Sequence, residues 1–174
     1  MPRRDDQRLS AGEWAVLALC VERPLHGFGL AAELAPDGDV GRVWAVPRPL
    51  VYRALERLET LGLVEDLGTH DSPSGPPRRV LGATAAARAR VDAWLREPVD
   101  HVRDARYLLL LKLLFLHRRD RDAGPLVRAQ ARTYGEIERR LEQRLPEADG
   151  FERVLVAWRL ESARAAMRFL AGLA

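Results

Sequence analysis

Cysteine is almost absent from the sequence: Cys20 stands alone. An intrachain disulfide and a thiolate metal cluster are both excluded, and on the first predicted helix Cys20 fits as a small core residue. Lysine is equally scarce, with Lys112 the only one, so nearly all positive charge is carried by arginine, the side chain suited to bidentate contact with phosphate or guanine. No apolar run approaches the roughly 20 residues of a membrane span. Met1 to Gln7 is polar and lacks the apolar segment of a signal peptide, which makes the cytoplasm the expected address. The four histidines, His26, His70, His101 and His117, form no His-x-x-x-His or Glu-x-x-His pair, and no serine lies in a nucleophile elbow. His117 with Asp120 and Asp122 reads as a helix end running into a polar turn. Neither an enzyme nor a resident metal or cofactor is expected.

What is present is enough hydrophobic residue, 47% of 174, to bury a core, together with a formal net charge of +3 from 28 Lys+Arg and 25 Asp+Glu. That balance permits an anionic partner without demanding one. The excess is uneven: residues 1–98 hold 13 arginines against 14 acids, while the remainder holds 15 basic residues against 11 acids.

The stretch from Pro47 to Gly62 predicts a short amphipathic helix, with Pro49 in its first turn and Gly62 just past its end. Val51, Leu55, Leu58 and Leu61 fall on a core-facing stripe. Arg48, Arg53, Glu56, Arg57 and Thr60 point away from it, and Tyr52 stands near the boundary. An anchored helix with arginine and tyrosine on its free face has the form of a major-groove reader, and a solvated surface helix is the alternative. Ahead of it, Ser10 with Glu13 predicts a capping box that opens a helix through Val21. A second short helix follows His26-Gly27-Phe28-Gly29, whose glycines lack the preceding strand of a phosphate loop. Val43, Trp44 and Val46 predict a short extended piece. Beyond Gly62, Leu63–Leu67 and Arg78–Gly82 predict two strands around the turn-rich Asp71–Pro77, and Thr84 opens a helix striped by Ala87, Val91, Trp94 and Leu95. The order is that of a winged helix-turn-helix, with Arg78 and Arg79 near the tip of a β-hairpin wing.

The second half predicts helices only. Tyr107–Leu116 is apolar on all sides except Lys112. A seam of Tyr134, Ile137, Leu141 and Leu145 precedes Pro146, and Phe151, Val154, Leu155, Trp158, Ser162, Ala165, Phe169 and Leu173 line one side of the last helix. Such helices call for more cover than they can give one another, so a two-fold dimer is expected.

Trp14-Ala15-Val16-Leu17-Ala18-Leu19, Pro24-Leu25-His26-Gly27-Phe28-Gly29-Leu30, Val51–Glu59, Gly62-Leu63-Val64 and Gly75-Pro76-Pro77-Arg78-Arg79 together resemble the PadR family of bacterial transcriptional regulators. The resemblance covers residues 9–97 and departs from the family pattern after the wing, at Val80-Leu81-Gly82-Ala83-Thr84. It implies a mainly α protein with three parts. These are a flexible N-terminus over 1–8, a winged helix-turn-helix DNA-binding domain over 9–98 and an α-helical dimerisation domain over 99–174. It implies that Tyr52 and Arg53 touch DNA and that Arg78 and Arg79 hold its backbone; Arg48 and Arg57 join them from the reading helix. It further implies a dimeric repressor on an inverted-repeat operator, released by a small hydrophobic or aromatic effector. Trp94 and Trp158 are the candidate effector residues, and both also fit as core residues at helical spacing. The alternative is a winged-helix module that binds protein or small molecules without DNA.

Overall fold

The computed structural model describes residues 8–72 and 75–173, so the expected flexible N-terminus, apart from Arg8, and the Pro73-Ser74 part of the wing turn lie outside it. The chain divides into two compact units, Met1–Trp94 and Leu95–Ala174.

The first unit is built around α1 (Ala11–Glu22). Ser10 and Glu13 form the predicted capping box: Ser10 Oγ accepts from the Glu13 amide at 3.3 Å, and Glu13 Oε2 accepts from the Ser10 amide at 2.7 Å. Every residue from Ala15 to Val21 is buried, so α1 is enclosed on all sides, with α3 (Arg48–Thr60), α4 (Ala85–Trp94) and β3 (Gly75–Ala83) around it. The reading-helix candidate α3 starts with Pro49 in its first turn and ends before Gly62, whose φ of 65° is the left-handed conformation that favours glycine. Its buried face is Val51, Ala54, Leu55 and Leu58; Leu61 is half-buried. Thr84 opens α4 by accepting from the Ala87 amide, and its hydroxyl donates to Gly62 O at 3.0 Å.

The strands differ from expectation. A two-residue strand, β1 (Leu25–His26), pairs antiparallel with β3 through Leu25↔Leu81 and His26↔Val80, so the sheet has three strands in the order β1-β3-β2. The wing strands are also longer than predicted: β2 spans Val64–Ser72 and β3 spans Gly75–Ala83. Most of the turn-rich cluster is therefore paired strand, with register shifts between Asp66 and Thr69 and between His70 and Ser72. Gly68, at φ 102°, occupies the first of these irregularities, where its amide donates to Asp66 Oδ1 at 2.9 Å.

Between α2 (Gly27–Glu33) and α3 the backbone forms successive turns in place of the predicted extended piece. The amides of Val43 and Trp44 both donate to Val40 O, and the buried Val46 donates to Leu34 O at 3.0 Å. This loop is pressed onto the end of α2. A Cβ at Gly41 would lie 1.7 Å from Ala35 O and one at Gly38 would lie 2.3 Å from Ala32 O, distances that backbone cannot yield.

The second unit contains α5 (Leu110–Arg118), α6 (Gly124–Arg144) and α7 (Gly150–Ala171), with α6 and α7 packed as a helical hairpin. The apolar run at 107–116 is not one uniform helix: a π-helical turn, Ala105–Leu109, leads into α5. Leu109, Leu111, Phe115, Leu126, Val127, Tyr134, Val156, Leu160, Ala163 and Leu170 form the core. Two polar side chains inside it are satisfied by backbone. Gln130 exchanges two hydrogen bonds with Val99, at 2.7 and 2.8 Å, and the buried Lys112 ammonium donates to Glu97 O. Burial lowers the Lys112 pKa to about 8 against the raising influence of Glu97 and Asp100. The helix end at His117 runs into a turn where Asp120 has φ 49° and Asp122 accepts from the Gly124 amide.

The last helix has two apolar sides. Val156, Leu160, Ala163 and Leu170 face inward, whereas Phe151, Val154, Trp158, Ala165, Phe169 and Leu173, six of the eight stripe residues, are exposed, Trp158 at 71%. Among the described residues no helix is long and apolar enough to cross a membrane.

Gly41→Ala is expected to lower the unfolding free energy of the chain by about 1–3 kcal/mol in urea denaturation, the usual cost of forcing atoms into a filled site. Unchanged stability would mean that the loop does not close on α2 as described.

Candidate nucleic-acid interface

Packing of Val51, Ala54, Leu55 and Leu58 turns the opposite face of α3 outward, and Arg48, Tyr52 and Arg53 are exposed on it. None of the three takes part in an ion pair among the described residues. Tyr52 lies against the start of α2, where a Cβ at Gly27 would meet its ring at 2.7 Å. Glycine at 27 is what lets the ring approach.

The arginines of this unit fall into two groups. Arg57 is turned back into the protein: its Nη1 donates to both oxygens of Glu13, at 2.8 and 3.0 Å, and its Nη2 donates to Arg8 O at 3.2 Å. Glu13 is buried at 8% exposure, so this pair ties α3 to the start of α1. Arg79 is likewise engaged, donating to Glu59 of α3 and, at 2.6 Å, to Asp66 of β2. The Gly68 amide and then the Arg79 guanidinium hold the Asp66 carboxyl below its ordinary range. The two carboxylates hold the Arg79 guanidinium above its own. Arg57 and Arg79, both expected from the sequence at a DNA surface, therefore have their charges matched by carboxylates within the unit.

Arg48 and Arg78 are different. They are paired with aromatic rings, Arg48 at 5.4 Å from the Phe28 centroid and 5.8 Å from that of Tyr52, and Arg78 at 5.2 Å from Phe28. Cation–π contacts at exposed sites, of which there are three here, stabilise by about 0.5–1 kcal/mol each. Repulsion between two guanidiniums in water is on the order of 0.4–1 kcal/mol over separations of about 4–10 Å. The rings therefore suffice to gather two positive charges without a carboxylate, which leaves both charges available to an outside anion.

No protein-family model matches the chain, and no curated protein does. Among solved structures it is similar to Bacillus subtilis PadR in complex with operator DNA, at 18% identity and a TM-score of 0.44. It is also similar to smu.1604c from Streptococcus mutans UA159, at 14% identity and the same TM-score. Each comparison covers 92% of this chain and 96% of the other.

The two candidate effector tryptophans occupy different units. Trp94 is 5% exposed and stacks on Trp14, with centroids 4.8 Å apart and planes 7° from parallel. A buried, stacked ring leaves little surface for a planar ligand, and Trp94 takes the core role that helical spacing also allowed. Trp158 lines a groove of about 1090 Å³ in the second unit with Leu109, Ile137, Leu141 and Phe169, while Arg103, Arg106, Arg140 and Arg159 also border it.

Phe28 has no role in the sequence-based expectation. A signal for it existed: an aromatic residue between two glycines in a helix-opening turn is a poor core candidate. The engagement of Arg57 and Arg79 had a signal as well, because 13 arginines among 14 acids leave few of them unpaired.

Arg57→Ala is expected to cost about 1 kcal/mol of stability, discounted because Arg57 is partly exposed, and to leave the salt dependence of DNA binding unchanged. Loss of DNA affinity at unchanged stability would return Arg57 to the interface.

Proposed function

We propose that the protein is a PadR-like transcriptional regulator that reads duplex DNA through α3 and acts as a dimeric repressor on an inverted-repeat operator. The observation that carries this reading is the exposed set Arg48, Tyr52 and Arg53 on a helix whose other face is locked in the core. Arginine there suits bidentate contact with guanine edges, and the tyrosine ring suits apolar contact with thymine methyl groups. Arg78 on the wing supplies a backbone contact beside them.

Dimerisation is supported by the exposed apolar side of α7, where Phe151, Val154, Trp158 and Phe169 face solvent in the single chain. A second copy laid on that side covers it and, through two-fold symmetry, supplies the second reading helix. The two helices would then meet one face of a duplex about 34–36 Å apart or a multiple of that. A small hydrophobic or aromatic effector fits the groove beside Trp158, and its seating there is the expected trigger for release of DNA.

A second reading is favoured by charge. Residues 1–98 sum to −1, and phosphate neutralisation supplies much of the affinity in most DNA-binding domains. On that reading the winged unit is a protein-interaction or small-molecule module.

Selection of genomic fragments on the purified protein at near-physiological salt separates the two: an enriched inverted repeat is expected, and no retention in the presence or absence of aromatic compounds would favour the module. On the selected operator, Arg53→Ala should cost about 1–3 kcal/mol, the value of one bidentate base contact. Trp158→Glu should convert the dimer to monomer in sedimentation and weaken operator binding with it, whereas a dimer that tolerates this charge pairs through another surface.

A further inference from the structure

The residue that joins the reading helix to the wing is Phe28, on neither of them. Its place is set by three local features. His26 Nδ1 accepts from the Gly29 amide at 2.8 Å and so caps the turn that carries Phe28. The β1–β3 pairing of His26 with Val80 ties this turn to the strand that bears Arg78, two residues away. Gly27 admits the Tyr52 ring from α3 on the other side. Phe28 is thereby held at the meeting of α2, α3 and β3, and half of its surface remains exposed. An exposed phenylalanine adds little to a core; here its ring is occupied by Arg48 from α3 and Arg78 from β3.

We propose that Phe28 is a positioning residue of the DNA interface, gathering Arg48 and Arg78 into one two-guanidinium clamp for the phosphate backbone of duplex DNA. The proposal rests on the DNA-reading function argued above. A phenyl ring suits the task because it attracts guanidinium through its face yet offers phosphate nothing of its own. A carboxylate in its place would hold the arginines but cancel their charge, as Glu59 and Asp66 do for Arg79. The clamp also answers the charge problem of a near-neutral unit, since it concentrates uncompensated charge where two DNA-facing elements meet.

The test is the salt dependence of binding to mixed-sequence double-stranded DNA by the full chain and its Phe28 variants, with thermal unfolding as the control for folding. Phe28→Ala and Phe28→Leu are both expected to weaken binding about tenfold and to flatten the slope of log affinity against log salt by up to about two units, one for each phosphate contact released. Their unfolding midpoints should fall by no more than a few degrees, as the loss of two exposed cation–π contacts allows. Phe28→Trp should restore both readouts, because it keeps the ring face that leucine lacks. Arg78→Ala should then add little to Phe28→Ala, the coupling expected of groups that act together. If Phe28→Ala and Phe28→Leu bind like wild type while Arg48→Ala and Arg78→Ala do not, the clamp is overturned and the DNA-reading function stands. If the wild-type chain shows no affinity for the duplex, both fall.

Discussion

Complete enclosure of α1 is the constraint on which the winged unit depends. From Ala15 to Val21 the helix has no solvent face, so its neighbours must cover it all round. On one side α3 does so with Val51, Ala54, Leu55 and Leu58; on others α4 and β3 close over it, and the Trp14–Trp94 stack seals the junction with α4. Once the inner side of α3 is committed in this way, the direction of its outer side follows. Glu13 adds a polar fastening, since it caps α1 and receives the Arg57 guanidinium. The exposure of Arg48, Tyr52 and Arg53 is thus a consequence of apolar burial elsewhere.

The same unit manages its charge by two means. Carboxylates bind Arg57 and Arg79 and spend their charge on holding elements together, α3 to α1 in one case and β2 and β3 to α3 in the other. Aromatic rings hold Arg48 and Arg78 and leave their charge intact. Net charge over the unit therefore says little about its attraction for an anion. The choice of partner for each guanidinium decides that.

Much of the fold was legible in the sequence because its signals are local. Ser10 and Glu13 announce the cap, Pro49 and Gly62 bracket α3, and the stripe of Ala87, Val91, Trp94 and Leu95 lies buried as helical spacing requires. β1 was not legible, because two residues carry no periodicity and the strand exists only through its pairing with β3. The wing strands were foreshortened because proline, glycine and serine signal turns, whereas here they continue along paired backbone past a bulge at Gly68. The site divides in the same way. Helical spacing was sufficient to place Arg48 and Arg53 on the outward face, with Tyr52 at its boundary. The partners that withdraw Arg57 and Arg79 lie 44 and 13 to 20 residues away, and the ring that collects Arg48 and Arg78 lies on a third element. Contacts of that range belong to the tertiary structure.

The account turns on one claim, that the outward face of α3 with the adjoining wing is where duplex DNA is held. Its most direct test is a map of backbone amide chemical shifts on titration with a selected duplex. Changes concentrated over Arg48–Arg53, around Phe28 and at Arg78, with the buried residues of α1 unmoved, are the predicted result. Changes confined to the second unit, or spread thinly over its many arginines, would contradict it.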